Sequence, residues 1–357
     1  MKSIRIGVVG VGALGQHHAR ILAGFDHVDL TAVVDQRPEQ GKEIATKYGC
    51  EWYSDAGAIH DLVDAAVIAA PTCHHSKIGH DFLEQRLPLL IEKPLASNLA
   101  EASSLVQLAE ETETLLQVGH IERFNPAFQT ARSLIREPRY IRSERVSPFT
   151  FRSTDIGVVH DLMIHDIDLA IDLVDSPIIS VSAMGLAVMG THEDIAQARL
   201  QFANGCIVDL TASRLSPNAA RTQLVWSDSG CTQVDFTSRK ISHFAPTDRL
   251  KYGESPVEIA RRPGTDPAEL KNQVFGRWIE ELQPVVPNDD ALTAELNSFI
   301  KAIRSEGPVM VDGRAGLRAM EAADRILEEI ASHEWDGAES ERVGPILEPV
   351  TRLRRAG

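Results

Sequence analysis

Ile4-Arg5-Ile6-Gly7-Val8-Val9-Gly10-Val11-Gly12-Ala13-Leu14-Gly15 is the stretch that decides the first half of the fold. Residues 4–9 are rich in β-branched side chains and read as a strand, and the glycines at 10, 12 and 15 lead straight into a helical stretch ending near Ala23. In that setting each glycine serves a mechanical purpose, with a tight turn at Gly10, close approach of a pyrophosphate at Gly12 and helix–strand contact at Gly15. The start of the helix, with Ala13 and Leu14, offers backbone N–H groups and a partial positive charge to phosphate. A second apolar strand, residues 30–34, ends at Asp35, where a carboxylate accepts hydrogen bonds from an adenosine ribose and repels a 2′-phosphate. That favours NAD over NADP. Arg37 pulls the other way, because a guanidinium there can reach a 2′-phosphate.

Outward from this turn, strands at 65–69, 89–91 and 115–118 alternate with helices at 38–48, 75–86 and 98–112. Such alternation predicts a parallel sheet covered on both faces, a dinucleotide-binding Rossmann domain over residues 1–120. The texture then changes. After helices at 125–136 and 161–174, the segments 178–188, 194–202, 206–213, 221–227 and 231–236 alternate apolar and polar residues, as an antiparallel sheet with one wet face does. Helices are expected again at 267–283, 289–305 and 314–332. The fold class is therefore α/β: an N-terminal Rossmann domain, then an α+β substrate-binding and oligomerisation domain over 121–332 with a large, mainly antiparallel open sheet, and an irregular tail over 333–357. Trp226 and Phe236 lie in strands suited to self-association, so a homodimer or homotetramer is expected.

Composition removes whole classes of function. The 357 residues carry 36 Lys and Arg against 51 Asp and Glu, a net charge of -15, which repels a polyanion and argues against nucleic acid as partner. No apolar run approaches bilayer-spanning length, and the first strand begins too early to leave room for a signal peptide; a cytoplasmic protein without membrane contact is expected. The 4 cysteines, at 50, 73, 206 and 231, have neither metal-ligand spacing nor the look of a disulfide framework, and read as free, non-nucleophilic thiols.

Two clusters carry candidate chemistry. Glu92-Lys93-Pro94 stands at the carboxyl end of a buried strand, the edge where open α/β sheets bind ligands. Lys93 there reads either as an ordinary strand-end lysine or as a group that donates to a substrate hydroxyl or takes its proton. The second cluster runs from His160 to Asp168. On a regular helix Asp161, His165 and Asp168 share a face, and apolar stripes on more than one side predict burial. An Asp one turn before a His orients the imidazole and raises its basicity; the competing reading is a buried Asp–His pair that only holds the helix in place. A regular helix cannot turn adjacent residues onto one ion, so no metal is expected. His74 and His75, after the third strand, are placed either to close over a nicotinamide edge or to sit solvated at a helix start. His120, Glu122, Arg123 and Asn125 form a polar patch where the chain leaves the first domain, with Arg123 a candidate for an anionic part of a substrate.

Together these elements resemble the family of glucose–fructose oxidoreductase, inositol dehydrogenase and MocA proteins. The resemblance rests on the Gly10–Gly15 turn, Pro71-Thr72 with His75, Glu92-Lys93-Pro94, and Asp161 four residues before His165, in a chain order that matches over residues 4–331. It implies that Gly10, Gly12, Ala13, Leu14, Gly15, Asp35, Arg37, Pro71, Thr72, His75, Glu92 and Lys93 bind the cofactor. It further implies that Lys93 and His165 are catalytic, with Asp161 orienting His165 or binding substrate. Residues 119–126 with 161–168 look most like the nucleotide-sugar 3-dehydrogenases, which oxidise the C3 hydroxyl of UDP-N-acetylglucosamine or its uronic acid ahead of a transaminase. The substrate-binding set is then Lys93, Arg123, Asn125, Asp161 and His165. In this reading hydride passes to nicotinamide C4 while His165 or Lys93 takes the hydroxyl proton. An inositol or other free-sugar dehydrogenase, and a non-catalytic NAD(H)-binding regulator, are the alternatives.

Overall fold

The computed structural model describes residues 3–151, 153 and 156–333. The expected tail at 333–357 therefore lies outside the described residues, except for His333. The chain divides into two compact units, the first comprising residues 1–124 and 289–324, the second 125–288 with the chain from 325.

The first unit contains six parallel strands: β1 (Ile4–Val9), β2 (Val28–Val34), β3 (Glu51–Tyr53), β4 (Ala65–Ile68), β5 (Leu89–Glu92) and β6 (Leu116–Gly119), in the order β3-β2-β1-β4-β5-β6. This order reverses direction between β1 and β4, and such a switch point opens a crevice at the carboxyl ends of the strands. The connecting helices are α1 (Gly15–Leu22), α2 (Pro38–Tyr48), α3 (His75–Glu84) and α4 (Leu99–Glu111). Helix α2 opens on Pro38 and closes on Gly49 at φ 71°, and α4 is capped by Asn98, whose side chain accepts from Glu101 N. β3 is additional to the expected strands; three residues with exposed Glu51 carry too little alternation to register.

One boundary differs from the expected division. Residues 289–324, placed by sequence in the second domain, belong to the first unit. Leu292, Leu296, Phe299 and Ile300 join Ile6, Val8, Leu22 and Val33 in a single buried cluster, so the helix that carries them completes the covering of the parallel sheet.

The second unit opens with α5 (Pro126–Leu134) and is built on eight strands: β7 (Pro138–Val146), β8 (Ile178–Leu186), β9 (Ile195–Phe202), β10 (Ile207–Ser213), β11 (Ala220–Ser227), β12 (Gly230–Asp235), β13 (Lys240–Pro246) and β14 (Ile279–Leu282). Their order is β14-β13-β12-β11-β7-β10-β9-β8, antiparallel throughout except for the parallel pair β7–β10. Helix α6 (Ile164–Val174) lies between β7 and β8 in the chain. Three short helices, α7 (Asp248–Tyr252), α8 (Pro256–Ala260) and α9 (Pro267–Gln273), precede β14; α10 (Ala291–Ile303) and α11 (Gly313–Ser332) follow it. The helix expected over 267–283 thus stops at Gln273 and gives way to a turn and β14.

The central strand β7 is absent from the expected set. Its inward positions include Ser143 and Arg145, so hydropathy alternation is lost although burial still alternates. Phe236, expected to help form an association surface, instead packs with Phe128, Leu169, Val234 and Ile241 in the core of this unit, while Trp226 is exposed. Among the described residues no helix is long and apolar enough to cross a membrane. The cysteines are free, and burial pushes the Cys50 and Cys206 thiols up to about 11, far from thiolate chemistry at neutral pH.

Candidate functional site

In the first unit the glycine turn is sterically tight at two of its three glycines. Gly10 sits at φ 84°, and a Cβ there would lie 2.6 Å from the backbone of Ala70; a Cβ on Gly15 would lie 1.7 Å from the Gly10 carbonyl oxygen. These two glycines are obligatory for the backbone itself. Gly12 is different. A Cβ there would meet only Arg37 Nη2, at 3.6 Å, so the space over this residue is open to a group from outside. Ala13 and Leu14 are exposed, and Leu14 brings no side-chain cap to α1. An uncapped helix start beside an open glycine is a cradle that fits a pyrophosphate.

Asp35 ends β2 beside this turn. Its Oδ2 accepts from Val11 N (3.1 Å), and its carboxylate is paired with Arg37, whose N and Nε lie 2.9 and 3.1 Å from Oδ1. Burial acts to raise the Asp35 pKa, but the hydrogen bonds from Arg37 and Val11 outweigh it and hold the carboxyl below its ordinary value. The Arg37 guanidinium is therefore engaged with the Asp35 carboxylate. Pro71 is exposed and Thr72 half-buried, in the turn that follows β4.

Glu92, Lys93 and Pro94 leave the end of β5, with Lys93 half-buried and the Lys93–Pro94 bond cis. The turn is gripped on both sides. His18 Nε2 lies 2.7 Å from Glu92 Oε1, and Lys93 N donates to Glu92 Oε2 at 3.3 Å. His75 Nδ1 is 2.9 Å from the Pro94 carbonyl oxygen, and its Nε2 is 2.8 Å from that of Ala70. With 1% exposure and both nitrogens facing backbone carbonyls, His75 ties the turn after β4 to the turn after β5. Of the two expected placements, solvated at a helix start or closing over a nicotinamide edge, the buried and doubly bonded ring of His75 fits neither. Burial holds the His75 pKa below the ordinary imidazole value against the pull of those two carbonyls.

The polar patch at 120–125 is packed rather than solvated. His120, Glu122 and Arg123 are buried, Arg123 to 5% exposure, which leaves its guanidinium little surface for a substrate anion. Asn125 has a structural role, since its side chain accepts from Ala127 N and caps α5 (3.0 Å).

In the second unit Asp161 does not lie on a regular helix. Residues Val159–Met163 form a π-helical turn that runs into α6, and His165 stands in the first turn of α6. The wider turn removes the simple face-sharing expected of positions 161, 165 and 168. Asp161 and His165 are half-buried, whereas Asp166 and Asp168 are buried. The start of the π turn is held by groups the sequence did not single out. Val159 N donates to Glu193 Oε1 (3.1 Å) and Val158 N to the Glu193 carbonyl oxygen (3.0 Å). Arg214 pairs with buried Asp194 (2.6 Å) and donates through Nη1 to the carbonyls of Ser153 and Ile156. Burial raises the Glu193 pKa, against the Val159 hydrogen bond. His18, Glu193 and Arg214 pair with residues far along the chain, so no spacing rule points to them.

The comparisons with known proteins cover both units. Residues 4–120 match the family model described as an oxidoreductase family with an NAD-binding Rossmann fold, and residues 128–230 match the GFO/IDH/MocA C-terminal domain. The UDP-N-acetylglucosamine 3-dehydrogenase of Acidithiobacillus ferrooxidans is 33% identical over 91% of this chain and 97% of its own. Its solved structure superposes with a TM-score of 0.79 at 31% identity, covering 92% of this chain and 98% of that one. The inositol 2-dehydrogenase of Rhizobium meliloti is 27% identical over 92% of this chain and 97% of its own. A levoglucosan dehydrogenase in complex with NADH and levoglucosan has a TM-score of 0.78 at 19% identity, covering 94% and 99% of the two chains, a likeness of fold.

Proposed function

The chain belongs to the GFO/IDH/MocA family, NAD-dependent oxidoreductases of CH–OH groups, and from that premise we propose that it oxidises the C3 hydroxyl of UDP-N-acetylglucosamine, or of a close nucleotide sugar, to the 3-keto sugar. The observation that carries this reading is the 33% identity to a UDP-N-acetylglucosamine 3-dehydrogenase along 91% of the chain. The inositol dehydrogenase likeness, at 27%, supports oxidation of a free sugar or polyol as the second reading.

The Gly10–Gly15 turn and Asp35 bind the dinucleotide. Bound NAD supplies the hydride acceptor. The chain's own contribution is orientation and proton management. Lys93, on a turn fixed by Glu92 and His75, donates to the reacting hydroxyl. His165 takes its proton, with Asp161 as its orienting or substrate-binding carboxylate. Lys93, Asp161 and His165 are each half-buried, at once accessible and partly shielded from water.

The test is NADH formation from NAD and UDP-N-acetylglucosamine in the presence of a trap for the 3-keto product, with NADP, the uronic acid and myo-inositol in parallel. Lys93→Ala and His165→Ala should each lower kcat by about 10²–10⁴-fold, the usual contribution of a general acid or base, while NADH binding persists. Turnover of myo-inositol but not of the nucleotide sugar transfers the assignment to the second reading. Near-normal turnover in either variant removes that residue's role.

A further inference from the structure

A buried ionisable cluster of the first unit includes Glu92, the residue before Lys93. His18 on α1, Glu92 on β5 and Glu295 on α10 each bring one ligand-capable atom within 4.8 Å of the other two, and all three are buried. Glu295 is 0% exposed, and neither of its side-chain oxygens receives a hydrogen bond. An ionised carboxylate in that position would be a buried charge with no donor and a second carboxylate beside it, an arrangement that a protein relieves by taking up a proton.

Glu92 is differently placed. It accepts from Lys93 N (3.3 Å), and His18 Nε2 stands 2.7 Å away. His18 Nδ1 is buried with no hydrogen-bond partner, which suits a neutral ring carrying its proton on Nε2 and leaves only a lone pair unfilled. The Glu92 carboxylate also occupies the space beside Gly119, where a Cβ would lie 2.9 Å from Oε2. Its conformation is thus set by a donor on one side, a backbone N–H on another and a bare glycine on a third.

We propose that His18, Glu92 and Glu295 form a buried triad in which Glu295 is a neutral carboxylic acid and Glu92 the carboxylate, and that His18 is a positioning residue that fixes Glu92 and, through it, the backbone of Lys93. The positioning half rests on the reading of Lys93 as a group that acts on the alcohol. The protonation half does not. Consistent with it, burial and then the charge of Glu92 push the Glu295 pKa well above the ordinary glutamate value. The same three atoms are a set that could hold a divalent cation, and that alternative requires Glu295 to be ionised.

Infrared spectroscopy of the full chain at neutral pH distinguishes the two. The expected result is a carbonyl band of a protonated carboxylic acid that shifts when the glutamates are isotope-labelled and is lost in Glu295→Gln. Absence of that band from the wild-type protein overturns the assignment, as does one equivalent of a divalent metal found by elemental analysis of the purified chain. Because the wild-type band and the metal content need no variant, a Glu295→Gln protein that failed to fold would not block the test. For positioning, His18→Ala should lower kcat about tenfold with substrate KM and NADH affinity held within about twofold, and His18→Gln, whose amide can still donate to Glu92, should recover most of the loss. An unchanged kcat in His18→Ala overturns the positioning role. If the wild-type enzyme turns over none of the sugars, the proposed function fails, and the infrared result still decides the state of the triad.

Discussion

Arg145, on the central strand β7, forms a two-pronged ion pair with Asp166, the residue after His165: Nε to Oδ2 is 2.9 Å and Nη2 to Oδ1 is 3.2 Å, with both side chains almost fully buried. The pair joins the sheet to the first turn of α6 and so fixes the backbone that carries His165. A planar guanidinium meeting a carboxylate along two parallel hydrogen bonds defines direction as well as distance.

Breaking this pair should be costly. Arg145→Ala removes both hydrogen bonds that this guanidinium gives the buried Asp166 carboxylate, and is expected to destabilise the second unit by about 3–5 kcal/mol. Arg145→Met combined with Asp166→Leu removes both charges and should recover much of that loss. Urea unfolding followed by tryptophan fluorescence, which samples Trp226 and Trp278 in this unit, measures both; equal stabilities for the two proteins would contradict the account.

The glycine turn separates folding from binding. Gly15→Ala forces a Cβ to within 1.7 Å of a backbone oxygen and should cost more than about 3 kcal/mol. Gly12→Ala meets nothing closer than 3.6 Å, so the melting temperature should barely move while NADH affinity falls. Fluorescence titration and a thermal melt of each variant suffice. A Gly12→Ala protein that binds NADH normally would remove the pyrophosphate from this position.

Cofactor choice is expected to rest on Asp35. Hydrogen bonds to charged groups are worth roughly 1.5–3 kcal/mol, so Asp35→Ser should weaken NADH about ten- to a hundredfold. The same change frees Arg37 from its partner, so NADPH binding should strengthen. Titrating both reduced cofactors against the two proteins tests the pair of effects, and unchanged NADPH affinity would show that Arg37 does not face the 2′ position.

Glu193 sets a pH dependence of stability. Burial raises its folded pKa above the value in the unfolded chain, about 4.3. The folded state therefore holds the proton more tightly; that stabilisation is complete below the unfolded pKa and is lost as pH rises through the folded one. Glu193→Gln removes the titration but keeps an oxygen able to accept from Val159 N. Its melting temperature should fall less than the wild type's between acid and neutral pH, and two parallel curves would refute the assignment.

How much of this was legible in the sequence depends on the range over which each signal acts. The Gly10–Gly15 turn and the strand–helix alternation to Gly119 are written in neighbours a few residues apart, where backbone sterics decide the outcome. Lys93 and His165 stand out for the same reason, through short motifs at element ends. β7 does not, because its inward Arg145 is polar in composition and becomes a core residue only through Asp166 on another element. His18, unremarkable on α1, acquires its meaning from Glu92, 74 residues away, and from Glu295 far beyond both.

What the amino-acid order determined by itself is thus the Rossmann class, the Gly10–Gly15 turn and the short motifs around Lys93 and His165, all products of local geometry. Only the tertiary structure decided that residues 289–324 return to the first unit, that Arg123 and His75 are buried, and that a π turn carries Asp161. The reason is physical: burial and pairing of polar groups are properties of segments brought together by folding, and a charge that is prohibitive alone is tolerated beside its partner.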